Sequence, residues 1–209
     1  MNDLEIRFIR HGFGTHMIDP TLVIGHAHDA TLTEEGRLQA TQKGNELRAR
    51  GFSPDVIVSS PSVRCVETAT FTKNAMGIDT QIELDDELIE QDQGEASNRP
   101  KLEMYTEEVL EQIKEQTFDF AFAGGESIRQ VAARGMRWLD AQKTRDPSVK
   151  SILAFTHGGL ITCTVAILEG WTHEEFLAKR FTIDPVSETR LILKDGAWHL
   201  DYFAQPLEQ

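Results

Sequence analysis

Three short apolar segments of this 209-residue chain end in polar turns that carry a histidine or an arginine. The segments run from Leu4 to Ile9, from Asp55 to Ser59 and from Ser151 to Thr156. The turns that follow them are Arg10-His11-Gly12, Ser60-Pro61-Ser62-Val63-Arg64 and His157-Gly158-Gly159. Continuous apolar runs of this length, bounded by glycine, proline or serine, are typical of buried parallel strands. Because such strands end at one edge of a sheet, the pattern predicts that two histidines and two arginines gather in one crevice.

Helical segments separate these strands. Thr33 stands before two glutamates and predicts the N-cap of a helix that ends near Arg50. Ser127 and Gln130 have the spacing of a capping box and predict a second amphipathic helix. Further helices are predicted over residues 62–74 and 160–168, and residues 188–194 and 197–203 predict a β-hairpin around Asp195-Gly196. The alternation predicts one α/β domain with a mostly parallel sheet and an antiparallel edge.

Residues 85–125 differ from the rest of the chain. An acidic stretch leads through a polar turn to a helix predicted over residues 101–116, and Phe118, Phe120 and Phe122 follow at a spacing of two. The segment is too short for a core of its own. We interpret it as an insertion that caps the site within a single domain spanning residues 1–209. The three phenylalanines are expected to pack this cap onto the sheet rather than to line a substrate pocket.

Charge and cysteine content exclude several classes of function. The net charge of −13 argues against a general nucleic-acid or anionic-membrane binder, although a few arginines suffice for a small phosphorylated substrate. Cys65 and Cys163 show no zinc-site spacing, and a His-x-His pair at His26 and His28 lacks a third nearby ligand. The longest apolar run is too short to span a bilayer, and no signal-peptide pattern precedes the first strand. We expect a soluble cytoplasmic protein without a metal or cofactor, and the oligomeric state is left open.

The residue types at the strand ends match phosphoryl transfer. Neutral imidazole is a nucleophile near pH 7, and guanidinium groups bind phosphate oxygens while remaining charged. Backbone N–H groups of glycine turns at helix starts add further anion contacts.

Five ordered segments of the chain resemble the histidine phosphatase superfamily, also called phosphoglycerate mutase-like. They are Arg10-His11-Gly12, Leu32 to Ala40, Ser59 to Ala69, Gly125-Glu126-Ser127 and Thr156-His157-Gly158-Gly159. The resemblance extends along nearly the whole chain and implies a three-layer α/β/α sandwich of the phosphoglycerate mutase type.

The resemblance also implies roles for individual residues. His11 resembles the nucleophile that becomes phosphohistidine, Arg10 and Arg64 resemble phosphate-binding arginines, and His157 resembles the second pocket histidine. Glu90 fits the general acid. The nearby Glu87, Asp92 and Glu95 compete with Glu90 for that role. Apart from the resemblance, we predict substrate contacts at Gly12, Thr15, Gly158 and Arg99; for Arg99 the alternative is a solvated charge in the polar turn of the cap.

The chain departs from the family pattern in two places. The first motif continues as Phe13-Gly14-Thr15-His16 instead of Glu-Thr or Gln-Thr, which resembles a plant- and fungal-type branch. Asp86-Glu87-Leu88-Ile89 stands where mutases have Trp-Arg-Leu-Asn, and the mutase insert after it is short. The missing Trp-Arg-Leu-Asn motif and the shortened insert both favour a phosphatase of small phosphomonoesters over a phosphoglycerate mutase. A catalytically weak module that binds a phosphorylated ligand is the third alternative. Cys65 follows Arg64 beside the cationic pocket, which would favour a somewhat acidic thiol, but we assign the role of nucleophile to His11.

Overall fold

A single six-stranded sheet organises the chain. The computed structural model describes residues 4–25, 29–180 and 182–208, so that His26 and His28 lie outside the described residues. The strands are β1 (Leu4–Arg10), β2 (Val56–Ser59), β3 (Ile82–Leu84), β4 (Ser151–Thr156), β5 (Glu188–Lys194) and β6 (Ala197–Gln205). Their order in the sheet is β3-β2-β4-β1-β5-β6.

The sheet has a parallel part and an antiparallel edge. Strands β3, β2, β4 and β1 pair in parallel, whereas β5 is antiparallel to β1 and to β6. Asp195 and Gly196 both have positive φ, at 51° and 79°, as a two-residue turn between twisted strands requires. The mostly parallel sheet with a hairpin at its edge is therefore confirmed. Residues 78–84 also predict a short strand from the sequence, and β3 occupies only the last three of them, Ile82–Leu84.

Helices cover both faces of this sheet. Helices α1 (Glu34–Ala49) and α2 (Val63–Met76) share one apolar cluster with the sheet, and helices α5 (Ile128–Gln142) and α6 (Gly158–Leu168) share another. Strand β4 is buried throughout: Ile152 and Ala154 belong to the α5/α6 cluster, and Leu153 and Phe155 belong to the α1/α2 cluster. Because each face of the sheet is packed by helices, the three-layer α/β/α sandwich is confirmed.

The predicted N-caps are present. The Thr33 hydroxyl accepts a hydrogen bond from Gly36 N at 3.1 Å, and Ser127 and Gln130 form both bonds of a capping box. Sequence reasoning missed helix α7 (His173–Arg180). Thr172 and Glu175 bond reciprocally at its start, and Phe176 is buried in the core, so its signals were present but short.

The cap contains two helices instead of one. Helix α3 (Lys101–Met104) ends at Tyr105, and helix α4 (Glu107–Gln116) starts after Thr106, whose hydroxyl accepts from Val109 N at 3.3 Å. The prediction of one continuous helix was wrong because a side-chain cap satisfies a new helix start.

The three phenylalanines of the cap divide between two clusters. Phe118 packs edge-on against Phe176 and joins the main core, as expected. Phe120 and Phe122 pack instead within the cap, in a small cluster with Tyr105.

A buried ionic cluster ties the hairpin edge to helix α1. The Glu188 carboxylate is fully buried and accepts from Arg7 Nη1 at 2.8 Å, from Arg50 Nη1 at 2.9 Å and from the Tyr202 hydroxyl. The Lys43 ammonium lies 3.9 Å from the same carboxylate. No helix within the described ranges has the length and apolarity needed to cross a membrane.

Candidate active site

The three predicted strand ends meet at one edge of the sheet. Strands β1, β4 and β2 are adjacent and parallel, with Arg10 opposite Thr156 and Ser59 opposite Phe155. The backbone N–H of His11 continues this ladder and donates to Thr156 O at 2.9 Å. His11 and His157 therefore lie side by side, with ring centroids 5.3 Å apart.

Close packing against helix α1 shapes the turn after β1. A Cβ on Gly12 would lie 2.6 Å from Gly36 O, and a Cβ on Gly36 would lie 2.2 Å from Phe13 O. Only glycines allow this approach of two backbones. Gly12 N donates to the Thr68 hydroxyl at 3.0 Å, and Phe13 N donates to Gln39 Oε1 at 2.9 Å. The Leu32–Ala40 segment, which had no assigned role, thus holds the turn that carries His11.

The hydrogen bond of His11 selects its tautomer. Its Nδ1 lies 2.8 Å from Gly12 O. Because a carbonyl oxygen only accepts, Nδ1 carries the proton and the lone pair is on Nε2. Burial, then the charges of Arg64 and Arg10, lowers the pKa of His11 well below 6.5. The imidazole is therefore neutral at pH 7 and has a nucleophilic Nε2.

His157 has the opposite tautomer. Arg64 Nη2 donates to His157 Nδ1 at 3.0 Å, and since a guanidinium only donates, the proton of His157 is on Nε2. That nitrogen lies 2.9 Å from the Ser60 hydroxyl. Burial and the charge of Arg64 lower the pKa of His157 well below 6.5. In this arrangement His157 is a neutral residue that orients the Arg64 guanidinium.

Arg10 is held by the segment that precedes β5. Its Nη1 donates to Ile183 O, its Nη2 lies 3.8 Å from Met17 Sδ, and its backbone oxygen accepts from Val186 N at 3.1 Å. Its Nε is buried and has no hydrogen-bond partner. Gly158 allows this position, because a Cβ there would lie 3.3 Å from Arg10 Nε and 2.9 Å from Ile183 Cγ2. Arg10 thus keeps one unused N–H inside the pocket.

Glu90 lies at the N-terminus of helix α6. Its Oε2 accepts from Gly159 N at 3.2 Å, and its Oε1 accepts from Gln91 N at 2.8 Å. Burial lowers the pKa of both Arg10 and Arg64, and the negative charge of Glu90 partly offsets this by raising both pKa values. The carboxylate is therefore close enough to both guanidinium groups to interact with them.

The buried Arg134 of helix α5 supports the Glu90 segment. Its Nη1 donates to Glu87 O at 2.8 Å and to Ile89 O at 2.7 Å, and its Nη2 donates to Glu126 Oε2 at 2.9 Å. Sequence reasoning assigned no role to Arg134. An arginine on an amphipathic helix was the available signal, but a sequence does not reveal that its acceptors are backbone oxygens of the Glu90 segment and the Glu126 carboxylate.

The competing carboxylates have other surroundings. Glu87 forms an ion pair with Arg137 at 3.1 Å, Asp92 Oδ1 accepts from Gly94 N at 2.8 Å, and Glu95 is exposed. Of the four acidic candidates, Glu90 is the one whose charge acts on both pocket arginines.

Two predicted substrate contacts take other positions. Thr15 is exposed, and its N–H donates to Thr31 O at 2.9 Å. Arg99 is exposed and forms an ion pair with Glu103 at 3.3 Å. The structure does not bring either side chain into the His11, Arg64 and His157 cluster, and their roles stay predictions.

The expectation of an acidic Cys65 was wrong. Burial raises the pKa of its thiol to about 12, and the charge of Arg64 only partly opposes this. The residue is fully buried, and its Sγ lies 3.4 Å from His157 Nε2. Cys65 packs against the pocket.

Among the described residues, no group of three or more His, Cys, Asp or Glu side chains is placed to hold a metal ion.

Sequence reasoning left His16 without a role. It lies in the 3-10 turn Thr15–Met17, and its ring centroid is 5.2 Å from that of His11. Burial, with the charges of Arg64 and Arg10, lowers the pKa of His16 to about 3. The unusual Phe13–His16 loop was the available signal.

Comparisons with known proteins agree with this geometry. The model of the histidine phosphatase superfamily (branch 1) matches residues 6–206. A 2,3-bisphosphoglycerate-dependent phosphoglycerate mutase of Chelativorans sp. (strain BNC1) is 28% identical over 155 residues, which are 71% of this chain and 74% of that protein.

Solved structures share the fold. A mycobacterial glucosyl-3-phosphoglycerate phosphatase in complex with VO3 superimposes with a TM-score of 0.80 at 23% identity, covering 97% of this chain and 100% of the other. A phosphoglycerate mutase of Bacillus anthracis str. Sterne gives a TM-score of 0.79 at 19% identity, covering 98% of this chain and 94% of the other.

Proposed function

Because the chain belongs to the histidine phosphatase superfamily, we propose that it is a phosphatase that hydrolyses a small phosphomonoester through a phosphohistidine on His11. The observation that supports this proposal most directly is the hydrogen bond from His11 Nδ1 to Gly12 O. It keeps the Nε2 lone pair available in a pocket that also holds two guanidinium groups. A nucleophile and fixed positive charge together are what phosphoryl transfer requires.

The first proposed step transfers the phosphoryl group to the enzyme. The His11 Nε2 lone pair attacks phosphorus, the bond from phosphorus to the ester oxygen breaks, and Arg10 and Arg64 neutralise the phosphoryl oxygens. The leaving oxygen takes a proton from the Glu90 carboxyl, which acquires that proton from the incoming monoester or from solvent. Gly159 N–H and the N-terminus of helix α6 then hold the resulting carboxylate.

The second proposed step releases inorganic phosphate. Water attacks phosphorus, the bond between phosphorus and Nε2 breaks, and the Glu90 carboxylate accepts a proton from the water. His11 returns to its neutral tautomer, since Nδ1 keeps both its proton and its hydrogen bond to Gly12 O throughout. His157 acts by keeping the Arg64 guanidinium in place.

We propose that the reaction needs no metal ion, because the two guanidinium groups supply the positive charge. The test measures turnover of p-nitrophenyl phosphate in EDTA by the wild type and by His11→Ala. Thermal-unfolding curves first establish that both proteins are folded. Retained wild-type turnover and its loss in His11→Ala are expected. Complete loss with the chelator overturns the metal-free mechanism, and turnover in His11→Ala overturns the nucleophile assignment.

A phosphoglycerate mutase is the second candidate, which the names of the curated relatives support. The absence of the Trp-Arg-Leu-Asn motif and the short following segment support the phosphatase instead. Incubation with 3-phosphoglycerate separates them, because a mutase forms 2-phosphoglycerate and a phosphatase releases phosphate. The position of Glu90 beside both arginines supports an enzyme over a catalytically weak binding module.

A further inference from the structure

The turn after β1 covers the pocket with two side chains that the proposed steps do not use. His16 packs on the His11 ring with centroids 5.2 Å apart and the planes tilted by 60°. Met17 follows it, and its Sδ lies 3.8 Å from Arg10 Nη2. The Thr15–Met17 turn therefore lies over both the nucleophile and one phosphate-binding arginine.

One edge of the His16 ring packs on its own loop. A Cβ on Gly14 would lie 2.5 Å from His16 Cε1 and 2.6 Å from His16 Nδ1. Nδ1 is buried there and has no hydrogen-bond partner. An orphaned buried N–H is rarer than an orphaned buried acceptor, so the favoured tautomer has its proton on Nε2. The lowered pKa of about 3, which burial and the two arginines cause, keeps His16 neutral at pH 7. Nε2 is then a hydrogen-bond donor on a ring that packs beside His11.

Several other donors of the pocket are already used within the protein. Arg10 Nη1 donates to a backbone oxygen, Arg64 Nη2 donates to His157, and His157 Nε2 lies on the Ser60 hydroxyl. A phosphate group has three oxygens that each accept more than one hydrogen bond. Additional donors are needed to satisfy them, and His16 Nε2 has no such commitment.

We propose that His16 is a phosphate-binding residue, whose Nε2–H donates to a phosphoryl oxygen of the dianion held by Arg10 and Arg64. The inference deepens the proposed function and rests on it for the phosphate ligand. It also gives a role to the loop in which this chain departs from the common family pattern.

The test measures binding of inorganic phosphate and of orthovanadate by titration calorimetry. His16→Phe keeps a ring against His11 but removes the donor, and it is expected to weaken binding about 10- to 100-fold, as for a hydrogen bond to a charged group. His16→Gln keeps an N–H near the Nε2 position and is expected to stay within about threefold of wild type. His199 is an exposed residue of β6, and His199→Phe is the matched control, which should bind as wild type.

A second variant displaces the ring without removing it. Gly14→Ala is compatible with the backbone, since Gly14 has φ −101°, but its Cβ forces the His16 ring to move. Binding should weaken in Gly14→Ala, and the same change made in a His16→Ala background should cause no further loss. Equal weakening in both backgrounds overturns the assignment of the Gly14 effect to His16.

The outcomes separate this inference from the proposed function. Unchanged phosphate binding in His16→Phe, or equal losses in His16→Phe and His16→Gln, overturns the hydrogen bond. A wild-type protein that binds phosphate through His16 but does not hydrolyse p-nitrophenyl phosphate overturns the phosphatase proposal and retains the role of His16. A wild-type protein that hydrolyses p-nitrophenyl phosphate but binds neither anion overturns the role of His16 alone, and one that neither binds nor hydrolyses overturns both.

Discussion

Gly159→Ala should displace the proposed general acid without disturbing the fold. A Cβ at this position would lie 2.2 Å from Glu90 Oε1, 3.0 Å from its Cδ and 3.2 Å from its Oε2. The obstructed atoms are the far end of a flexible side chain, so the carboxylate is expected to move by about 1 Å, to ordinary contact distance. Alanine is also better than glycine in a helix, by up to about 1 kcal/mol. We therefore expect the thermal midpoint to stay within a few degrees of wild type.

The expected loss of activity depends on the leaving group. A displacement of about 1 Å costs on the order of 10²-fold in rate, within the 10²–10⁴-fold range of general acid catalysis. An alkoxide needs this proton, whereas p-nitrophenolate leaves with little help. The value of kcat/KM, which reports transfer to His11, should fall about 100-fold for glycerol 2-phosphate and less than about fivefold for p-nitrophenyl phosphate.

Two further variants test the cause of the loss. Glu90→Gln should show the same leaving-group dependence, and Gly159→Ala should add little to it, because both act on one carboxylate. Glu95→Gln removes an exposed carboxylate of the same segment and should leave kcat/KM unchanged for both substrates. Equal losses of kcat/KM for the two substrates, or no loss for glycerol 2-phosphate, would refute the assignment of Glu90 as the acid.

Three other predictions concern pH, stability and thiol chemistry. The pKa of His11 lies well below 6.5, and the neutral form of His11 is the one that attacks. We therefore expect no fall in kcat/KM for p-nitrophenyl phosphate between pH 7.5 and 6.5 through protonation of His11. A decline centred at pH 6.5 that ionisation of the substrate does not explain would contradict this. Burial raises the pKa of Glu188, but its hydroxyl and cationic partners outweigh burial and leave it below its ordinary value. Its stabilising contribution is therefore present above the unfolded pKa of about 4.3 and lost as pH falls through the folded value. Glu188→Gln should lower the free energy of unfolding by about 3 kcal/mol at pH 7 in urea titrations, with a smaller difference at pH 3.5. Cys65 and Cys163 are buried, with pKa values raised to about 12 by burial, so Ellman's reagent should label neither in the native protein within minutes at pH 8 and both after unfolding; rapid native labelling would contradict their burial.

Much of the fold was predictable because its signals are local. The N-caps at Thr33 and Ser127, the Asp195-Gly196 turn and the apolar strands each depend on neighbouring residues, and all are present as expected. The errors arose where local signals were short or competed. Thr106 starts a new helix inside the continuous helix that was predicted, and the Thr172 cap of helix α7 precedes only eight helical residues.

The candidate site divides in the same way. The chain order placed His11, Arg64 and His157 after parallel strands, and this was sufficient to predict that they meet. It did not distinguish Glu90 from three nearby carboxylates, because the distinction depends on Gly159 N–H and on the field at two arginines from other elements. Nor did it predict the tautomers of the two histidines, since their acceptors and donors are supplied by Gly12 O, Arg64 and Ser60.

The amino-acid sequence alone therefore determined the family, the parallel sheet and the edge at which the cationic and imidazole groups collect. The tertiary structure decided which imidazole has a free Nε2, which carboxylate acts electrostatically on both Arg10 and Arg64, and that Cys65 is buried with a raised pKa. Periodicity and capping act over a few residues and are legible in sequence, whereas pKa values and tautomers depend on burial and on partners distant along the chain.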